Sequence, residues 1–97
     1  MHTIITVEIS YDPAKNEHNL SIRGLSFDRA VEFEFETAVF AIDARHNYGE
    51  IRCRALGLLD SRVHALVFVE TAKGIRVISF RKANKREVKL YEEATQT

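Results

Sequence analysis

Ile75-Arg76-Val77-Ile78-Ser79-Phe80-Arg81-Lys82-Ala83-Asn84-Lys85-Arg86-Glu87-Val88-Lys89-Leu90-Tyr91-Glu92 changes its period halfway along. From Ile75 the residues alternate. This predicts a strand with Ile75, Val77 and Ser79 on one face and Arg76, Ile78 and Phe80 on the other. Past Phe80 the spacing becomes three and four, and Arg81, Lys82, Lys85, Arg86 and Lys89 lead to Tyr91 on a basic helical stretch. A sheet that ends this way delivers cations and a phenol to one edge of a domain. Five cations within nine residues make a candidate phosphate-binding surface. The competing structural reading is a solvated C-terminal helix whose Lys and Arg complement the helix dipole.

Upstream, β patterns run over 62–70, 50–58 and 38–43, separated by turn signals at Ala72-Lys73-Gly74, Asp60-Ser61 and His46-Asn47-Tyr48-Gly49. Linkers of two to six residues favour an antiparallel meander. Nearer the N-terminus, Thr3 to Ser10 alternates as a strand. Asp12-Pro13 then opens a helix that Gly24 closes, with Ala14, His18 and Ile22 as its stripe and His18 read as a packed core histidine. Ser26 caps a second helix with an apolar stripe of Phe27, Ala30, Val31 and Phe35, and Glu32, Glu34 and Glu36 on an exposed acidic face. The order β-α-α-β-β-β-β-α defines an α+β fold. A small antiparallel sheet packs against two N-terminal helices and one C-terminal helix, as a single domain over 1–97.

With 45% apolar residues and six Phe, the chain has the composition of a folded domain. Net charge is zero, but residues 1–50 carry four Lys/Arg against nine Asp/Glu, and 51–97 carry ten against five. The C-terminal half therefore suits an anionic ligand, and the acidic half suits a basic partner protein. Cys53 is the only cysteine and sits in an apolar alternation, which predicts a reduced, buried thiol. No apolar run approaches the roughly 20 residues needed to span a bilayer. Thr3 to Ile9, interrupted by Glu8, is too short for a signal peptide. A cytoplasmic protein without a membrane partner is expected.

For chemistry, Glu50, Arg52 and Arg54 share one face of their strand, opposite Ile51, Cys53 and Ala55. If registers coincide, Glu70 and Arg76 join them; a slip of one residue would reverse the outcome. His2, His18, His46 and His64 are scattered, and there is no nucleophile elbow, P-loop, dinucleotide fingerprint or zinc spacing. No metal and no cofactor is expected.

Several segments in order resemble the BrnT family of toxins from type II toxin–antitoxin systems. They are Tyr11-Asp12-Pro13-Ala14-Lys15 with Asn19, Gly24-Leu25-Ser26-Phe27 with Ala30, and Asp43 with His46 and Tyr48-Gly49-Glu50. Arg52, Leu56-Gly57, Ile75 through Ala83, and Glu87 with Tyr91-Glu92 complete the set. The family's usual Lys-His-Gly at the end of the first helix is Ile22-Arg23-Gly24 here, its usual Ala before the last strand's Arg is Phe80, and Ile51 stands at a position that is often polar. The resemblance implies a RelE-like fold and an RNA-cleaving, translation-blocking toxin. It also implies neutralisation by a small BrnA-like antitoxin, in a heterotetramer of two toxins and two antitoxins that reaches DNA only through the antitoxin.

Metal-independent RNA cleavage needs a base for the 2′-hydroxyl, cations for the phosphorane charge and an acid for the leaving 5′-oxygen. Arg52, Arg76 and Arg81 are the candidates for phosphate, since guanidinium binds it bidentately. Glu50 is the first candidate base, with His46 or Glu70 behind it. Lys82, Tyr91 and Arg54 are candidate RNA contacts with Glu70 beside them, and Tyr48 can stack an unpaired base. Arg81→Ala is expected to keep the fold and lose most cleavage. The alternative is a non-catalytic toxin-like module that pairs with an antitoxin and modulates its DNA binding.

Overall fold

Asp12 and Pro13 begin the first helix as their chemistry predicts. In the computed structural model, which describes residues 8–44, 47 and 49–96, helix α1 spans Pro13–Arg23. The Asp12 carboxylate accepts from the Ala14 N–H at 2.9 Å. Gly24 closes the helix at φ 66°, a left-handed conformation that glycine adopts without strain. The buried side of α1 is not the expected stripe. His18 is exposed, as are Leu20 and Ile22, whereas Asn19 is buried. Its Nδ2 donates to the carbonyls of Leu25 and Phe80, both at 2.9 Å. A polar anchor, not an apolar stripe, fixes the helix to the sheet, and His18 is corrected from core to surface.

The second predicted helix is instead two 3₁₀ turns, Phe27–Glu32 and Phe35–Thr37. Phe27, Ala30 and Phe33 are buried, while Val31 stays 63% exposed. Those buried residues recur every third position, the period of a 3₁₀ turn, so this winding and not an α-helix turns all three toward the sheet. Ser26 caps the first turn as expected, accepting from the Asp28 N–H at 3.2 Å.

Five strands follow the order β1-β5-β4-β3-β2. They are β1 (Glu8–Ser10), β2 (Val39–Ile42), β3 (Cys53–Leu59), β4 (Arg62–Glu70) and β5 (Gly74–Lys82), and helix α2 (Lys85–Thr95) ends the chain. Strands β2 to β5 form the expected antiparallel meander. The sheet as a whole is mixed, not antiparallel, because β1 pairs parallel to β5. Positions 3–7 of the predicted first strand lie outside the described residues. Gly74 makes the β1 pairing possible, since a Cβ there would collide with the Glu8 backbone. The Asp60-Ser61 turn closes the β3–β4 hairpin with both residues at positive φ (51° and 63°), the type I′ geometry that matches strand twist.

One sheet face carries the core. Phe27, Leu59, Leu66, Val77 and Phe80 are its largest fully buried side chains. Each contributes about 1.5–3 kcal/mol through removal from water. Cys53, half-buried, packs at the margin of this core, and burial pushes its thiol up. The other face, here called the outer face, is crossed by α2, which packs on β2, β3 and β4. Among the described residues no helix is long and apolar enough to cross a membrane.

Candidate active site on the outer sheet face

A β-bulge decides which arginines meet. Val67 pairs with Ser79 and Phe68 with Val77, so Ile78 is the extra residue in β5. Strict alternation would send Arg76 and Arg81, an odd number of residues apart, to opposite faces. The inserted residue resets the alternation. Ile75, Val77 and Phe80 therefore face the core, while Arg76, Ser79 and Arg81 turn outward. This corrects the predicted faces, which set Phe80 with Arg76 and Ser79 with Val77.

The neighbouring strand presents its arginines to the same side. Arg54 pairs with Val67, which pairs in turn with Ser79, and Ala65 pairs with Arg81. Arg52, two residues before Arg54, keeps that direction just ahead of β3. Its carbonyl accepts from the Asp43 N–H at 2.7 Å. The strand itself starts at Cys53, so Glu50 and Arg52 sit in the approach to it and not within it as 50–58 predicted.

Two carboxylates organise these cations. Arg76 places one nitrogen, Nη2, 2.8 Å from both oxygens of Glu50, and the Nε of Arg52 donates to Glu50 Oε2 at 3.3 Å. The Arg76 hydrogen bond, with help from Arg52, holds the Glu50 carboxyl below its ordinary range. Further along the face, Arg81 grips Glu87 as a fork, Nη1 to Oε1 at 2.8 Å and Nη2 to Oε2 at 3.0 Å. Arg54 reaches Glu87 Oε2 at 3.5 Å. Glu87 also accepts from the Asn84 N–H while Asn84 accepts from the Glu87 N–H, a reciprocal cap that starts α2. Its carboxyl is likewise held down, first by Arg81.

Beside these pairs lies a cleft of about 170 Å³, bordered by Arg52, Arg54, Arg81 and Asp43 and floored by Ala65, Val67, Ile78 and Ser79. Drug-sized ligands occupy roughly 300 Å³ or more, so this volume suits a small anionic group such as a phosphate. Small side chains on the central strands leave the floor low, and the guanidinium groups stand above it.

The structure therefore brings together Glu50, Arg52, Arg54, Arg76 and Arg81. It separates three other candidates. Glu70 pairs with Ile75 and so points to the core side of the sheet at its margin, away from Arg76. Lys82 pairs with His64 and follows Arg81 onto the opposite side. Tyr91 is only 8% exposed and seats α2 on the sheet, so it is not an open contact for RNA. His46 and Tyr48 lie outside the described residues. Sequence reading missed the role of Glu87, although its signal was present: Asn84 followed three residues later by Glu is a capping-box pattern. Buried Asp43 on the cleft wall and half-buried Ser79 on its floor entered the sequence reading only through strand patterns and the family resemblance, with no functional role attached.

Among the described residues, no group of three or more His, Cys, Asp or Glu side chains is placed to hold a metal ion. The class defined by fold and site is thus a small α+β domain with an arginine–carboxylate cleft on the outer face of its sheet. Residues 11–87 match the family model described as the ribonuclease toxin BrnT of type II toxin–antitoxin systems, and the chain belongs to that family. Membership makes it a ribonuclease toxin, with RNA as target and an antitoxin as partner. Comparison with curated proteins gives no match.

Proposed function

We propose that the outer-face cleft cleaves single-stranded RNA without a metal ion, by attack of the 2′-hydroxyl on the adjacent phosphodiester. The observation that carries this reading is the gathering of Arg52, Arg54, Arg76 and Arg81 on one side of the sheet, with Arg52 both bordering the cleft and bonded to Glu50 beside Arg76. Phosphate oxygens compete with Glu50 for the N–H groups of Arg76 and Arg52. As the guanidiniums turn to phosphate, Glu50 loses the bonds that hold its pKa down, and it takes the 2′-hydroxyl proton. The 2′-oxygen bonds to phosphorus, the bond from phosphorus to the 5′-oxygen breaks, and solvent water gives a proton to that leaving oxygen. The products are a 2′,3′-cyclic phosphate and a 5′-hydroxyl. Arg81, locked by Glu87, contributes fixed positive charge at the other end of the cleft.

In the cell this activity blocks translation in the cytoplasm. A BrnA-like antitoxin neutralises it in a complex of two toxins and two antitoxins, and DNA is reached only through that antitoxin. The fold is taken as RelE-like and the chain as one toxin domain. The test is cleavage of single-stranded RNA by the purified protein in EDTA, with Arg76→Ala as the variant that removes it. Cleavage that stops with chelator defeats the metal-free reading.

One observation favours the alternative of a non-catalytic, antitoxin-pairing module: Glu50 is held acidic by its two arginines, which is poor tuning for a base. Growth arrest on expression, relieved by the antitoxin, separates the two. Complex formation without arrest or RNA loss supports the module.

A further inference from the structure

A second concavity, apart from the cleft, has mainly cations among its charged lining residues. At the end of the sheet, between the last turn of α1, the first 3₁₀ turn and the β3–β4 hairpin, lies a cavity of about 410 Å³. Arg23, Arg29, Arg62 and Lys82 border it, with Asp60 as the one carboxylate. Arg29 is committed to Glu32 at 3.0 Å and Asp60 at 2.9 Å. That leaves Arg23, Arg62 and Lys82, all exposed, as a ring of cations over a floor made by buried Leu25 and Leu59. The outer-face cleft differs in kind, because its arginines are set against Glu50 and Glu87.

His64 lines this cavity and brings a polar ring to it. Its Nδ1 lies 2.8 Å from the Arg62 carbonyl, which can only accept, so Nδ1 carries the proton and Nε2 keeps a lone pair. Burial pushes the imidazole below its ordinary range, which favours that neutral form. Cations at the rim, an apolar floor and a neutral acceptor match the parts of a nucleotide. Phosphate meets the cations, the base lies against Leu25 and Leu59 or a guanidinium plane, and a base N–H or hydroxyl meets Nε2. Volume agrees, since it falls in the range of small-molecule sites of roughly 300–1,000 Å³. Position agrees too. Arg81 turns to the cleft and the next residue, Lys82, to the cavity on the opposite side, so a strand that passes the end of β5 can reach both.

We infer that this cavity is a second RNA subsite, which holds one nucleotide of the strand outside the cleft and anchors the substrate there. The inference rests on the ribonuclease reading for its biological meaning, but its test does not depend on cleavage. Labelled 2′-O-methyl oligoribonucleotides lack the attacking hydroxyl, so they report binding alone. The parent protein should bind them with a steep salt dependence. Arg23→Glu with Arg62→Glu should weaken binding at least about tenfold and lower the salt slope by about 0.7 for each phosphate no longer neutralised. Both side chains are exposed, so the melting temperature should hold, which is checked alongside. In a second measurement, titration with nucleoside monophosphates should shift the His64 ring and Leu59 methyl resonances.

Equal affinity of the double variant and the parent overturns the inference, as does a parent that binds no oligonucleotide. Loss of antitoxin binding with RNA binding intact also overturns it and assigns the cavity to an acidic protein segment. If the parent binds the 2′-O-methyl strand through these residues but leaves ordinary RNA uncut, the ribonuclease reading fails and the subsite stands. If ordinary RNA is cut while the double variant binds like the parent, the subsite fails and the ribonuclease stands.

Discussion

Glu50 and Glu87 each collect two arginines on the same sheet face, yet they are held in different ways. The Glu87 side chain is 7% exposed, stands in the first turn of α2 and is gripped by both nitrogens of the Arg81 fork. The Glu50 side chain is 29% exposed, stands in the loop before β3 and is met by one nitrogen of Arg76. Removing a partner from a buried pair leaves a charge that water cannot reach, whereas an open pair exchanges partners at little cost. The Glu87 cluster is therefore a clamp that fixes helix to sheet. The Glu50 cluster is a set of cations that a phosphate can borrow. Arg81→Ala consequently does not separate fold from activity as the sequence reading expected, because it strips the main partner from buried Glu87; Arg76→Ala is the cleaner variant.

The sharpest break between the clusters is in rate. Arg76→Ala should lower RNA cleavage by about 10²–10³-fold, the scale seen when one transition-state donor is lost, with the melting temperature unmoved. Retained cleavage would take Arg76 out of the site. Next in size, Glu87→Ala removes a cap and a buried carboxylate together. The arginines it abandons are partly exposed, so the cost should be about 2–3 kcal/mol, read as a fall in Tm of roughly 10–20 °C. An unchanged Tm would show that α2 is held by something else.

The pH dependence of stability should divide the clusters further. Folding lowers the Glu87 pKa below its ordinary 4.5. The unfolded chain therefore takes up the proton first as pH falls. The stabilisation from Glu87 is complete above 4.5 and is lost as pH drops through the folded value. Tm should decline in that window for the parent and less for Glu87→Gln; parallel curves would contradict this.

The finest distinction lies in the rate profile. Glu50 is also held below 4.5. Acting as base, it sets the acid limb of kcat/KM below that value, and the limb of kcat at higher pH once phosphate has taken its arginines. Glu50→Gln should remove activity while leaving Tm unmoved at neutral pH. A limb near the ordinary histidine value of about 6.5 would move the base role to an imidazole.

Much of the chain was legible because its signals are local. Asp12-Pro13 and Gly24 mark the ends of α1, Asp60-Ser61 makes its turn, and the alternation over 62–70 is the observed β4. The departures share one cause. His18 and Val31 lie on plausible apolar stripes and Tyr91 follows a basic helical stretch, but which side of a helix is buried depends on what packs there. Asn19 inverted the burial of α1 by bonding to Phe80, far along the chain. Glu70 misled for the same reason, since its face follows from pairing with Ile75 and not from its own neighbours.

Capping residues, strand alternation, the acidic and basic halves and the family membership are properties of the chain read by itself, because each depends on residues close together or on a pattern summed along it. Which guanidinium groups meet was decided only by tertiary structure. Ile78 bulges because β5 must register with β4, and that single unpaired residue turns Arg81 to the side of Arg76. Side-chain direction in a strand has a period of two, so one residue added by a distant pairing reverses everything beyond it.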